Sequence, residues 1–170
     1  MTADNPHAPT VRLRPPQHRV ERRAIAWWTL QSLAFAGPVL VGAVVGYAWW
    51  EAARPWLIVA LVGAALLAVA LVVVEPLWRY AVHRWEVTDE AVYARTGWLV
   101  REWRVAPISR IQTVDSVRGP VEQLMGLSTL RVTTASSRGA IDIGGLDKDV
   151  AGEVAEQLTA ITQQTPGDAT

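Results

Sequence analysis

Residues 56–74 read WLIVALVGAALLAVALVVV, a run of nineteen residues without a charged side chain. A helix rises ~1.5 Å per residue, so about 20 apolar residues cross a ~30 Å hydrocarbon core. A helix of this length in the core of a soluble protein would carry a polar stripe, and this run carries none. The run therefore predicts a membrane-spanning helix, and a buried soluble helix is the alternative that its composition disfavours.

A second uncharged segment, residues 24–50, precedes this run, and the polar residues 51–55 separate the two. Gly37-Pro38 lies near the middle of the segment. The proline predicts a kink, because its ring removes one backbone hydrogen bond and crowds the preceding turn. Two shorter re-entrant pieces are the alternative. The short polar break predicts an antiparallel transmembrane hairpin over residues 24–78.

Aromatic residues at the ends of both segments predict two complete crossings. Trp28 and Trp49 are 21 positions apart, and Trp56 and Trp78 are 22 positions apart. At helical rise each pair spans about 32 Å, which is the separation of the two aromatic belts of a bilayer. The residues predicted to lie at the membrane interface are Trp27, Trp28, Trp49, Trp50, Trp56, Trp78 and Tyr80.

Residues 1–23 are predicted to form a basic cytoplasmic arm. The arm either sets topology alone or also attracts anionic lipid. With Arg79 and Arg84 after the second segment and only Arg54 between the segments, its charge fits the positive-inside rule. Both termini are therefore expected in the cytoplasm, with the chain crossing the inner (plasma) membrane more than once. No small-residue cleavage site ends the first segment, so an uncleaved anchor is expected. The arginines of the arm are Arg12, Arg14, Arg19, Arg22 and Arg23.

Small residues inside the hairpin predict close packing of its helices. Gly42 and Gly46 form a GxxxG pattern, which lets helix backbones approach each other. Packing within one hairpin is favoured over dimerisation. Neither segment contains an ionisable residue, which argues against an ion pathway or a proton relay.

After Trp78 the sequence changes to short alternating runs, which predict a separate domain over residues 79–164. Strands are expected at residues 80–88, 91–96, 99–105, 111–118, 129–135 and 140–143, with one helical turn at residues 121–126. A final helix is expected to begin after Asp147 as its N-cap, with Val154 and Leu158 on its apolar face. The predicted fold class is an α+β membrane protein, a transmembrane hairpin followed by an antiparallel β-sandwich or barrel capped by a C-terminal helix. Residues 165–170 are expected to form a disordered tail.

The order of the strand motifs carries a family resemblance. The motifs are RWEVTDEAVY at residues 84–93, TGWL at 96–99, VAPISRIQTV at 105–114, GLSTLRVTT at 126–134 and IGGL at 143–146. Their succession resembles the bacterial pleckstrin-homology-like (PH-like) domain, and in particular the membrane-anchored group in which two transmembrane helices precede one such domain. The resemblance covers about residues 24–162. It implies a seven-stranded PH-like barrel capped by the C-terminal helix, and no enzymatic site.

Few residues in this sequence are of a type that could catalyse a reaction or bind a metal. It contains no cysteine, and His7, His18 and His83 lack the spacing of metal ligands. No catalytic, cofactor-binding or metal-binding residue is therefore predicted, and the protein is not expected to be an enzyme. Trp85, Trp98 and Trp103 are expected to pack in the barrel or to contact lipid, with core packing for at least two of them.

Charge distribution narrows the class of ligand. Residues 75–164 contain ten basic and twelve acidic residues, so the domain has no net positive charge for phosphoinositides or nucleic acid. We therefore expect a non-enzymatic interaction domain at the cytoplasmic face of the membrane. It would bind a protein partner, assemble with membrane subunits or form a homo-oligomer, with envelope maintenance as one role. A lipid or small-ligand sensor at the inner leaflet is the alternative.

Overall fold

The computed structural model describes residues 15–135 and 139–164, and it begins with two long helical stretches. Helix α1 spans Arg23–Trp49. After a 3₁₀ turn at Glu51–Ala53, the second stretch comprises helix α2 (Arg54–Val69), a π-helical turn (Ala70–Val74) and helix α3 (Glu75–Val82). Both stretches are long and apolar enough to cross a membrane. Their most apolar windows are 0% and 6% buried inside the protein, whereas a core helix of a soluble protein would be mostly buried.

The described residues form seven antiparallel strands in two sheets, one strand before the hairpin and six after it. The first sheet has the order β1 (His18–Arg19), β2 (Arg84–Val87), β3 (Ala91–Thr96) and β4 (Glu102–Pro107). The second has the order β5 (Ile111–Val117), β6 (Leu127–Thr134) and β7 (Ile141–Asp147). A 3₁₀ turn at Ile108–Arg110 joins the sheets, α4 spans Pro120–Met125, and α5 spans Lys148–Gln164. The predicted fold class is confirmed as an open sandwich, and the closed barrel that the resemblance implied is not formed.

Helix α5 packs on the sandwich as its apolar face predicts. Leu158 is fully buried and Val154 is 8% exposed, and both belong to the same core as Leu130 and Val132 of β6. The backbone N–H of Asp149 donates to Asp147 Oδ1 at 2.9 Å, so Asp147 caps the helix as expected.

The described start of the chain is part of the sandwich. In β1, His18 pairs with Trp85 of β2, and the next three core positions along the chain are Val20, Ala24 and Trp28. The N–H of Glu21 donates to the carbonyl of Gly145 at 2.8 Å, which ties this segment to the second sheet as well. The division between a basic arm at residues 1–23 and a hairpin at 24–78 remains a prediction of organisation. The packing nevertheless joins residues on both sides of that division to the domain.

Gly145 permits this contact between α1 and β7. Its φ is +81°, a conformation that L side chains rarely adopt, and a Cβ placed there would lie 2.7 Å from the Cβ of Ala24. Both atoms of this contact are fixed to the backbone, so no rotamer change can separate them. The glycine therefore sets how closely the first turns of α1 approach the second sheet.

Several element boundaries differ from the sequence prediction, including that of the last strand, predicted at residues 140–143, which extends over Ile141–Asp147. The strand predicted at residues 80–88 is reduced to Arg84–Val87, because α3 continues through Val82. Adding residues to an existing helix is easier than starting a new element, which favours this continuation. The strand predicted from residue 99 begins at Glu102, because Gly97 turns the chain with φ +102°.

The two glycines of the GxxxG pattern have different surroundings in the hairpin, and their role in helix packing remains a prediction. Helix α1 continues through Pro38 as one helix and does not divide into re-entrant pieces. A Cβ on Gly46 would lie 3.8 Å from Leu57, whereas a Cβ on Gly42 would meet no atom within 4 Å. Gly46 therefore faces α2, and Gly42 has open space beside it.

The π-helical turn lies at the end of the long apolar run. The N–H of Glu75 donates to the carbonyl of Ala70, five residues earlier, instead of the usual four. Across the hairpin, the Thr29 hydroxyl donates to the carbonyl of Val72 at 3.3 Å and the Ser32 hydroxyl donates to Glu75 Oε2 at 3.3 Å. Side chains of α1 thus provide hydrogen-bond donors where the regular helix pattern is interrupted.

A candidate binding cleft at the membrane end of the sandwich

A cleft of about 590 Å³ lies where the two sheets meet the first turns of α1 and α3. This volume is within the range of small-molecule and peptide pockets. The cleft collects residues that are distant in sequence. They come from α1 (Trp27, Trp28), α3 (Glu75, Arg79), β3 and the turn after it (Ala94, Thr96, Gly97, Trp98), β4 (Glu102, Arg104) and β7 (Ile141, Asp142, Gly144), with His83, Thr129 and Ala140.

Trp28 is the most enclosed side chain of the cleft. It is 1% exposed, the guanidinium of Arg79 lies 4.6 Å from its ring centroid, and the ring of His83 lies 5.1 Å away. Its indole Nε1 is buried and donates no hydrogen bond to any of the described residues. A buried donor without an acceptor is unfavourable by roughly 1–3 kcal/mol. Because Nε1 is itself buried, an acceptor oxygen on a ligand would reach it only if the neighbouring side chains moved.

His83 adds a second buried polar group beside Trp28. It is 6% exposed, and its Nδ1–H donates to the carbonyl of Arg79 at 2.8 Å when the ring is neutral. Burial lowers the pKa of His83 from 6.5 to about 4. The ring is therefore neutral near pH 7 and contributes no charge to the cleft.

The ionised groups that line the cleft are paired within the protein. Arg79 contacts Glu75 at 3.5 Å and Arg104 contacts Glu102 at 2.9 Å. Asp142 accepts from Arg131, on the neighbouring strand β6, at 2.8 Å. Two arginines and three carboxylates line the cleft, so it has no net positive charge to attract a phosphate group. The electrostatics therefore favour a neutral, polar ligand over an anionic one.

Each sheet contributes an edge strand to the cleft. Strand β4 is the last strand of the first sheet, and β7 is the last strand of the second. Arg104 of β4 reaches across, and its Nη1 donates to the carbonyl of Ala140 just before β7 at 2.9 Å. An edge strand has one row of backbone groups outside its ladder, and an extended peptide can pair with such a row.

The structure separates the residues predicted to lie at the membrane interface into two groups. Trp27 and Tyr80 pack against the sandwich core, and Trp28 belongs to that core. Trp28 therefore contacts protein, because the close approach of α1 to Gly145 carries it beneath the sheet. The remaining four are exposed on the hairpin, by 86% (Trp49), 69% (Trp50), 79% (Trp56) and 49% (Trp78).

Two of the three described arginines of the basic arm have side-chain partners within the protein. Arg23 donates to the carbonyl of Met125 at 2.9 Å and forms an ion pair with Asp147. The guanidinium of Arg19 lies 6.0 Å from the ring of Tyr80. Arg22 is exposed, whereas Arg12 and Arg14 lie outside the described residues. The attraction of these arginines to anionic lipid remains a prediction.

The tryptophans of the sheets are less buried than expected. Trp85 belongs to the core and is 8% exposed, whereas Trp103 is 43% exposed and Trp98 is half-buried beside the cleft. The expectation that at least two of the three pack in the core is therefore wrong. Trp98 lies in the turn between β3 and β4, and Trp103 is the second residue of β4.

One signal in the sequence could have identified the cleft. Glu75, Arg79 and His83 recur at intervals of four residues, which places them along one face of a helix. Assigning residues 80–88 to a strand hid this pattern, because alternate strand residues point to opposite faces.

The expectation that no residue binds a metal remains a prediction from the sequence. In residues 15–135 and 139–164, no three or more histidine, aspartate and glutamate side chains form a group that could hold a metal ion. The absence of catalytic and cofactor-binding residues remains a prediction from the sequence.

Comparisons with known proteins agree with the architecture. The sequence profile of the family described as "Bacterial PH domain" matches residues 29–162. A relative in Bacillus subtilis (strain 168), the UPF0699 transmembrane protein YdbS, is 24% identical over 160 residues. That alignment covers 90% of this chain and 97% of the relative. No solved structure gives a significant match.

Proposed function

Because this chain belongs to the bacterial PH domain family, we propose that it is a membrane-anchored, non-enzymatic interaction module. PH-like domains are generally non-enzymatic, which supports this proposal. The module would hold a protein partner or a membrane subunit close to the bilayer. A role in envelope maintenance would fit such a module.

The proposed location is the inner (plasma) membrane, crossed twice, with both termini in the cytoplasm. The excess of arginine on the terminal side of both apolar segments supports this orientation. The chain contains no cysteine, so single cysteines can report topology directly. Ala52, in the turn between the helices, and Gln157, on α5, are both exposed. An impermeant thiol reagent applied to intact cells should label Ala52→Cys and leave Gln157→Cys unlabelled until lysis, and the opposite pattern would reverse the orientation.

The proposed binding site is the cleft, and the proposed ligand is an uncharged, extended segment of a protein. The observation that carries this choice is the internal pairing of the five ionised groups lining the cleft. An uncharged peptide displaces none of these pairs, and it can pair its backbone with the edge strands β4 and β7.

Photocrosslinking in cells tests this site. Benzoylphenylalanine at Thr96, which lines the cleft, should give a crosslinked product with a protein on irradiation. The matched control is Gln112, exposed on β5 and not among the residues lining the cleft. The substitution Ala140→Trp, which adds bulk inside the cleft, should reduce the product from Thr96 without lowering the melting temperature. Equal products from Thr96 and Gln112, or none from Thr96, would count against the cleft.

A lipid or small-ligand sensor is the second candidate. The cleft lies between the first turns of α1 and α3 at the membrane end of the sandwich, and Trp27 and Trp28 give it an aromatic wall. A neutral lipid or small molecule could therefore enter from the membrane surface. Mass spectrometry of the chain purified in mild detergent distinguishes the candidates. A molecule retained at one equivalent by the unmodified chain, and lost in Ala140→Trp, would favour the sensor.

A further inference from the structure

We propose that the β3–β4 turn, residues 97–101, inserts its apolar tip into the same bilayer that the hairpin crosses. The turn would then be a third attachment point that fixes how the sandwich sits on the membrane. The proposed occupant of this apolar surface is the lipid at the boundary between head groups and acyl chains. The inference rests on the proposed crossing of the bilayer by the hairpin.

The tip of the turn is apolar and exposed. Leu99 is 77% exposed and Val100 is 72% exposed, and they follow Trp98 directly. The turn requires glycine at its start, because a Cβ on Gly97 would lie 1.8 Å from the carbonyl oxygen of Val100. In this turn the side chains of Leu99 and Val100 lie outward, away from the core.

Contacts place this turn at the membrane end of the sandwich. Gly97 and Trp98 line the same cleft as Glu75 and Arg79, the first charged residues after the apolar run. In addition, Arg95 Nε donates to the carbonyl of Val82, the last residue of α3, at 3.0 Å. The turn thus lies beside the segment that carries the chain out of the bilayer.

The distance that the turn can span back toward the bilayer is about equal to the distance that α3 extends out of it. The eight residues of α3 begin immediately after Val74, so their end stands ~12 Å beyond the hydrocarbon edge. The four residues from Arg95 to Leu99 can span up to about 13 Å in the opposite direction. The head-group region occupies only about 5–7 Å on each side of the hydrocarbon core. Leu99 can therefore reach the boundary of the acyl chains.

The distribution of charged residues between the two ends of the first sheet also fits insertion of this turn into the bilayer. Arg84 pairs with Arg95 in the register of β2 and β3, and Arg101 follows the apolar tip. The turn at the opposite end of the same sheet carries Asp89 and Glu90 instead. Arginines beside an apolar tip can keep their guanidinium groups among lipid head groups while the tip enters the bilayer.

Fluorescence quenching in vesicles tests the insertion. The full chain with the single substitution Leu99→Cys is labelled with an environment-sensitive fluorophore. It is then reconstituted in phosphatidylcholine vesicles in which some acyl chains carry a nitroxide quencher. We expect emission shifted to shorter wavelength, with most of it lost to the quencher. Glu90→Cys, exposed on the opposite turn of the same sheet, is the matched control and should show water-like, unquenched emission.

A third label separates this inference from the proposed membrane crossing. Leu66→Cys reports on the hairpin, where Leu66 is 69% exposed. Quenching at Leu66 without quenching at Leu99 would overturn the insertion and leave the crossing intact. A short-wavelength but unquenched signal at Leu99 would mean that protein, and not lipid, covers the tip, which also overturns the proposal. Quenching at neither position would overturn both.

Discussion

Replacing Gly145 by alanine is expected to separate the start of α1 from the second sheet. An alanine at positive φ is unfavourable by roughly 1–2 kcal/mol. The new Cβ would also lie 2.7 Å from the Cβ of Ala24, and overpacking of this kind adds about 1–3 kcal/mol. The expected total loss of folding free energy is therefore about 2–5 kcal/mol.

Gly139 provides a matched control for the backbone contribution. Its φ is +74°, close to that of Gly145, but a Cβ there would meet nothing within 4 Å. Gly139→Ala should therefore show only the strain of positive φ. In a domain of 60–100 residues, 1 kcal/mol corresponds to a change of about 4–8 °C in melting temperature. Thermal unfolding of the full chain in mild detergent, followed by intrinsic fluorescence, should show two to three times the loss for Gly145→Ala.

A double substitution identifies the contact responsible. Ala24→Gly removes the opposing Cβ and by itself costs up to about 1 kcal/mol in a helix. Combined with Gly145→Ala, it should recover about 1–3 kcal/mol relative to the sum of the single changes, since the clash requires both methyl groups. Equal melting temperatures for Gly145→Ala and Gly139→Ala, or additive effects in the double variant, would refute the proposed packing of α1 against β7.

Three further predictions concern the sandwich and the cleft. Leu158→Ala, at a fully buried position of α5, should reduce stability by about 2–5 kcal/mol, whereas the exposed Glu156→Ala should change it by well under 1 kcal/mol; denaturant titration of the full chain measures both. Because the pKa of His83 falls from 6.5 unfolded to about 4 folded, the unfolded state binds the extra proton between these values. Stability should then decline by up to about 3 kcal/mol as pH falls through that window, and melting curves of His83→Gln should lack that part of the decline. A fragment of residues 79–164 lacks Val20, Ala24 and Trp28 of the core, so hydrogen exchange should show its second sheet less protected than in the full chain.

The predictable part of the fold follows from local periodicity. The uncharged run at residues 56–74 requires a helix in lipid, and the alternating runs with their turns predict a sandwich. The capping helix follows from Asp147 and the spacing of Val154 and Leu158. These features depend on neighbours within a few residues, which is the range over which a sequence pattern carries information.

The cleft depends on contacts that no local pattern contains. Trp28 has the composition and position of an interfacial tryptophan, yet it is buried because Gly145, more than a hundred residues later, admits α1 to the sheet. The same closeness brings Arg79 over the indole ring. Local reasoning also assigned Tyr80 and Val82 to a strand, because their alternation fits either element until the length of the preceding helix is known.

The π-helical turn at Ala70–Val74 has a consequence for how the chain can change over evolutionary time. One additional residue in a turn rotates everything beyond it by about 100° relative to an uninterrupted α-helix. The turn therefore sets the direction in which Glu75, Arg79 and His83 point, relative to the lipid-facing side chains before it. Deleting one residue within the turn would restore a regular helix and leave those three side chains facing the cleft, whereas converting the turn to α-helix at unchanged length would rotate them together by about 100° away from it. The angular phase of the cleft is thus encoded inside the membrane segment, and Thr29 stabilises it by donating to the carbonyl of Val72 within that turn.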